Sequence, residues 1–169
     1  MAYDREVAAP PHDQVDDVQA DWARARPDLD TTPMGIGGLL RLVAAALARA
    51  AEVPVREEGL TRAEFDVLSA VRRSTGPLTP TGIAAATLAS GAATTKRLDH
   101  LTTHGYLERG PDARDGRVSR LSITDQGRDL VDRLLPRVLD AERDFAAVLD
   151  PDDREQLDRV LRALTAAHR

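Results

Sequence analysis

The chain has 169 residues, a net charge of −5 and no cysteine, which excludes disulfides, cysteine-based zinc sites and thiol redox chemistry. Apolar residues make up 42% and aromatics only 3%, so the core must come from Leu, Val, Ala and Ile, a composition that favours packed helices over an aromatic-rich sandwich. No apolar run approaches the roughly 20 residues of a membrane span and no signal peptide opens the chain, so a soluble, cytoplasmic protein with no membrane partner is expected.

Residues 1–12 are polar, contain Pro10-Pro11 and are expected to form a disordered tail. A short helix follows at about 13–25, with Val15, Val18 and Trp22 on one stripe, and Pro27 ends it. A strongly apolar helix is predicted from Met34 to about Glu52, with Pro54 and Gly59 punctuating its end. Gly35-Ile36-Gly37-Gly38 lacks the preceding strand and spacing of a phosphate loop and reads as a site of close helix packing. Thr61-Arg62-Ala63-Glu64 is a capping box. The helix it opens turns Phe65, Leu68 and Val71 inward and stops before Gly76-Pro77. Thr79-Pro80 starts a short helix to about Leu88. Ala89-Ser90-Gly91 is a tight turn, and Ser90 can cap a helix over 90–104 that Gly105 terminates.

Two strands are predicted next, Tyr106 to Arg109 and Val118 to Thr124. In the second, Leu121 and Ile123 share one face and Arg120 and Ser122 the other. Pro111 to Arg117 forms the hairpin tip. A long helix should run from Asp125 toward Leu149, with a kink or break near Leu135 caused by Pro136. Asp150-Pro151 caps a last helix to about Ala167, with Leu157, Leu161 and Leu164 on its apolar side.

Helix, short helix, tight turn, helix and strand hairpin, in that order, describe a winged helix-turn-helix. The fold expected is therefore mostly α with a small two- to three-stranded wing. Helix 90–104 is the candidate reader of a DNA major groove. Ser90, Thr94, Thr95, Lys96 and Arg97 offer hydroxyl and cationic donors for phosphates and base edges. Charge follows the same division: residues 91–120 carry a net +2, against −5 over residues 1–30 and −3 over the last 49. Arg outnumbers Lys 22 to 1, which reads as composition bias, and the single Lys, Lys96, falls on the candidate reading helix.

The hairpin tip gathers Arg114 and Arg117 beside Asp112 and Asp115. Guanidinium groups there can enter a minor groove or follow the backbone. A neighbouring Asp can hold an Arg fork in place and limit the entropy it loses on binding. The alternative reading is a solvated turn with scattered ion pairs, each contributing about 0–1 kcal/mol.

Asp112-x-Arg114-Asp115-x-Arg117 followed by Leu121-Ser122-Ile123-Thr124-x-x-Gly127 resembles the wing signature of MarR-family transcription regulators. The upstream segments EFDVLSAVRR and TKRLDHLTTHGYLERG are similar to that family's order, and the resemblance covers about residues 13–167. It implies a homodimer formed through N- and C-terminal helices (13–60 and 125–169) around a DNA-binding domain at 61–124. It also implies a palindromic double-stranded operator and release by a small ligand.

Asp21-Trp22, Arg26-Pro27-Asp28-Leu29-Asp30, Pro33-Met34 and Glu64-Phe65-Asp66 are further similar to the family's urate-responsive branch, which has an added N-terminal helix. That resemblance implies a pocket of Trp22, Asp66 and Arg97 for a small anionic aromatic ligand. Where some members of the branch add an Asn, this chain has Arg72-Arg73-Ser74. The chemistry suits such a ligand: an indole stacks on a flat ring, and an arginine pairs with an anionic edge. Other readings stand beside it. Trp22 can staple the first helix, Asp66 can pair with Arg62 or Arg73, and Arg97 can be a phosphate contact alone.

His100 and His104 have the spacing of a helical metal pair, but no third ligand is apparent. Neither a metal, a cofactor nor a catalytic arrangement is expected. Two rival functions remain: a helical dimer acting through protein partners without DNA, and a small enzyme using the dimer cleft.

Overall fold

The computed structural model describes residues 14–87, 94–111 and 119–168. Its contacts divide into two units, residues 1–46 and 47–169, with the division falling inside a helix.

The first unit holds α1 (Gln14–Ala25) and the start of α2 (Thr32–Arg56). Arg26 N–H closes α1 on the Trp22 carbonyl at 2.8 Å, and Asp30 Oδ1 accepts from Thr32 N–H at 3.0 Å where α2 begins. Val15 of α1 is buried against Gly38 of α2: a Cβ added at Gly38 would lie 2.7 Å from Val15 Cγ1. The small-residue run thus permits close packing at Gly38, as expected. The outward side of α2 is apolar and uncovered, with Ile36, Leu39, Leu40 and Val43 exposed.

Two expectations for α2 need correction. It continues through Pro54 to Arg56 instead of ending near Glu52. Proline there removes one donor late in the helix, and burial of the neighbouring Ala51 and Val55 holds the last turn in place. At 25 residues, with a mean hydropathy of 1.5 over its most apolar window, α2 is also long and apolar enough to cross a membrane. A helix that packs in a protein core meets the same criterion of length and composition.

In the second unit, α3 (Arg62–Arg72) opens with the predicted capping box. Thr61 Oγ1 accepts from Glu64 N–H at 3.3 Å, and Glu64 Oε2 accepts from Thr61 N–H at 2.8 Å. α4 (Pro80–Ala86) is capped by Thr79, whose hydroxyl accepts from Gly82 N–H at 3.0 Å. α5 spans Thr94–Thr103 and is followed by Gly105 at φ +75. The predicted turn and cap at Ala89-Ser90-Gly91 lie outside the described residues.

The wing pairs β1 (Leu107–Pro111) with β2 (Ser119–Ile123), antiparallel, with Leu107 opposite Ile123 and Pro111 opposite Ser119. β1 therefore runs two residues beyond the predicted Arg109. The third strand reduces to one bridge, in which Leu78 and Leu121 exchange both backbone hydrogen bonds at 2.9 and 2.8 Å.

Of the predicted kink or break near Leu135, the break does not occur: the long C-terminal helix α6 (Asp125–Phe145) continues through Pro136. Leu134 and Val138, buried on either side of the proline, offset the lost backbone bond. The helix ends earlier than Leu149, in a 3-10 turn at Ala146–Val148. A close approach explains the glycine of the wing signature. A Cβ at Gly127 would lie 2.2 Å from the Tyr106 carbonyl oxygen, so only glycine lets the first turn of α6 pass the start of the wing. The last helix, α7 (Pro151–Ala167), is capped by Asp150 and has no buried residue. Its stripe of Leu157, Val160, Leu161 and Leu164 is uncovered.

The core of this unit is aliphatic apart from Phe65, and joins Val55, Leu68, Ile83, Leu98, Leu101, Leu121 and Leu134 among others. It lies beneath α3, α5 and the wing and fixes the pose of α5.

Candidate nucleic-acid interface

Leu98 and Leu101, both buried, anchor α5 in the core. The other side of its N-terminal half turns outward: Thr95 and Lys96 are exposed and Arg97 half-buried. Neither Lys96 nor Arg97 meets a carboxylate among the described residues, whereas most other described arginines of this unit are taken. Arg62 reaches Asp66 at 2.9 Å and Glu142 at 3.0 Å. Arg72 holds Asp132, Arg109 holds Asp99 at 2.6 Å, Arg133 holds Glu58 at 3.2 Å, and Arg137 holds Glu57. The outward face of α5 therefore keeps its cations available to an external anion.

The Arg109–Asp99 pair connects β1 to α5. Arg120 of β2 donates to the Pro77 carbonyl at 3.0 Å. With the Leu78–Leu121 bridge, wing and helix-turn-helix are thus tied at three points, so the ribbon keeps a defined position beside α5.

The sequence-predicted site residues divide as follows. Thr95, Lys96 and Arg97 come together on α5. Thr94 begins the same helix, but its side chain lies outside what is described, as do Ser90, Arg114, Asp115 and Arg117. Asp66 forms the ion pair with Arg62 that was one of its two alternative partners. Trp22 is 48% exposed and belongs to the first unit; Asp66 and Arg97 belong to the second. In the stretch that replaces the branch's Asn, Arg72 is engaged with Asp132, Arg73 donates to the Ala86 carbonyl, and Ser74 Oγ donates to the Gly76 carbonyl at 2.7 Å.

One pairing escaped the sequence reading. Glu64 is only 8% exposed, and its second oxygen, Oε1, lies 2.7 Å from His100 Nδ1 on α5. Burial raises the Glu64 carboxyl pKa, but the backbone and hydroxyl bonds from Thr61, and then His100, outweigh it and hold the group below the usual carboxylate range. The capping box revealed the first oxygen's role; the partner of the second lies 36 positions away and left no local signal.

A buried-core helix-turn-helix with an antiparallel two-stranded wing and an outward cationic face on its second helix defines a winged helix-turn-helix DNA-binding protein. The MarR family model matches residues 58–118. The HTH-type transcriptional regulator PecS of Dickeya dadantii (strain 3937) is 31% identical over 150 residues, covering 88% of this chain and 90% of that protein. The chain belongs to the MarR family of transcription regulators.

Solved structures agree. BpsR of Bordetella bronchiseptica, whose DNA binding is regulated by 6-hydroxynicotinic acid, superposes with a TM-score of 0.70 at 25% identity, over 77% of this chain and 92% of that one. A mutant MarR from E. coli complexed with operator DNA gives 0.67 at 22% identity, over 85% and 96%, and supports the fold.

Proposed function

We propose that two copies of this chain bind a palindromic operator, repress transcription from it, and release it when a small anionic aromatic ligand binds. Each copy lays α5 in the major groove, with Ser90, Thr94, Thr95, Lys96 and Arg97 toward the DNA, while Arg114 and Arg117, oriented by Asp115, grip from the wing tip. The observation that carries this reading is the pair Lys96 and Arg97, left without a described carboxylate partner in an acidic chain whose other described arginines are mostly engaged. Half-sites should stand about one helical turn apart.

Self-association is supported by the uncovered apolar stripes on α2 and α7. Side chains such as Ile36, Leu40, Leu157 and Leu161 face water in a single chain, and burying a Leu fully contributes about 1.5–3 kcal/mol. On this reading 13–60 and 125–169 form the dimer and 61–124 binds DNA. The family works in the cytoplasm as a regulator, not an enzyme.

For the ligand, the support is the Trp22, Asp66 and Arg97 set implied by the urate-responsive branch, together with a relative regulated by an aromatic N-heterocycle. Arg62 adds a second cation at the Asp66 carboxylate, and an anion competing for Arg62 would also loosen its hold on Glu142 of α6. The residues suit an anionic flat ring.

Gel shifts with a duplex from the chain's own upstream region, alone and with urate, other purines and hydroxylated aromatic acids, test both halves. Operator retention that one of these compounds abolishes is expected, with calorimetric affinity for it weakened by Trp22→Ala and Asp66→Ala. Turnover of the compound, or no retention of any duplex, would overturn the proposal.

A further inference from the structure

Glu64 divides its carboxylate between two helices. Oε2 accepts from the Thr61 N–H and hydroxyl, both at 2.8 Å, and so caps α3. Oε1 faces His100 of α5 at 2.7 Å. The Nδ1 atom of His100 is itself buried although the rest of its side chain is partly exposed, and the two groups meet by distance alone, without an aligned hydrogen bond. A carboxylate held ionised in a nearly closed site attracts an imidazolium far more than an imidazole.

Among the described groups around His100, Glu64 is the carboxylate that meets the ring. On α5, Lys96 and Arg97 bring positive charge, the His104 ring centroid lies 4.1 Å away, and Asp99 is engaged by Arg109 of β1. Also on β1, Glu108 accepts from Ser122 Oγ at 3.2 Å. α4 carries no ionisable side chain. On α3, Arg62 and Asp66 hold each other, and Arg72 is bound to Asp132.

We propose that His100 is a positioning residue for DNA reading: its imidazolium, gripped by the buried Glu64, fixes the pose of α5, so operator affinity falls as the ring loses its proton. The inference rests on α5 being the reading helix. His100 acts through Glu64 and not through phosphate, and this separates it from the ordinary effect of a cation beside DNA.

The test uses the full-length protein and a duplex it selects from a random-sequence pool, titrated at about pH 5.5 and about pH 8. The wild type should bind about fivefold or more tightly at the lower pH. Glu64→Gln keeps a capping side chain on α3 but removes the charge, and should flatten the profile at the weaker affinity. His100→Gln should do the same, whereas His100→Arg, permanently charged, should bind tightly at both pH values. The salt dependence of binding should be unchanged in Glu64→Gln, because no phosphate contact is lost.

A wild-type pH profile retained by Glu64→Gln overturns the inference and leaves DNA reading by α5 intact; so does a profile that His100→Gln and His100→Arg leave unaltered. Should Glu64→Gln fail to fold, the two His100 variants decide alone, the Arg variant's insensitivity to pH being the supporting result. Failure to select any duplex overturns the DNA-reading proposal and this inference with it.

Discussion

Arg72 of α3 grips Asp132 of α6 with two parallel hydrogen bonds, Nε to Oδ1 at 2.9 Å and Nη2 to Oδ2 at 3.0 Å. The bond from Arg72 is the chief cause of an Asp132 carboxyl pKa below its ordinary value. A carboxylate with a depressed folded-state pKa stabilises the fold fully above its unfolded value and loses that contribution as pH falls through the folded one. Asp132→Asn should therefore lower the thermal midpoint at neutral pH, by about 1–2 °C for so exposed a pair. The difference should vanish in acid below the carboxylate range. Calorimetric scans of both proteins across that range check it.

Gly127 sets a steric prediction. Its absent Cβ would sit 2.2 Å from the Tyr106 carbonyl, and backbone cannot move aside as a flexible side chain can. Gly127→Ala should destabilise the protein by about 1–3 kcal/mol, the usual range for overpacking. Chemical denaturation measures the loss. Gly110→Ala, where nothing lies within 4 Å, is the control expected to stay close to the wild type.

Lys96 is exposed and meets no described carboxylate, so its removal should cost binding without costing stability. Lys96→Ala is expected to weaken affinity for all duplexes alike and to reduce the slope of log affinity against log salt by about 1. Fluorescence anisotropy over a salt series gives both numbers. An unchanged slope would show that Lys96 neutralises no phosphate.

Leu161, on the uncovered stripe of α7, bears on assembly. Leu161→Asp adds charge to a helix with no buried residue in a single chain, so the isolated fold should tolerate it. In an assembly the same carboxylate would be desolvated, at a cost of several kcal/mol. Light scattering after size-exclusion should show dimer for the wild type and monomer for the variant, with operator affinity reduced as the second half-site is lost.

The parts of this fold legible in the sequence are those written in nearby residues. The caps at Thr61, Thr79 and Asp150 and the stop at Gly105 follow from side chains that bond amides two or three positions away, or from a backbone angle glycine adopts freely. Leu121 between Arg120 and Ser122 announced which face of the wing is buried. The two prolines misled because their cost, about 3 kcal/mol in a helix interior, is local while its compensation is not. Burial of Val55 and of Leu134 and Val138 depends on partners far along the chain. Glu64–His100 and Arg62–Glu142 were hidden for the same reason. The proposed ligand set was legible through resemblance alone, since Trp22 and Asp66 stand on different helices and share no spacing.

The double bridge between Leu78 and Leu121 joins the residue just ahead of the α4 cap to the middle of β2, and the Arg120 bond to Pro77 reinforces it one step away. The ribbon is in effect bolted to the doorway of the helix-turn-helix. On the proposed binding mode, a rotation that swings the helix-turn-helix would carry the ribbon along, so two grooves of a duplex would be gained or surrendered in one stroke. Partial release, with one element still seated, would require those backbone bonds to break.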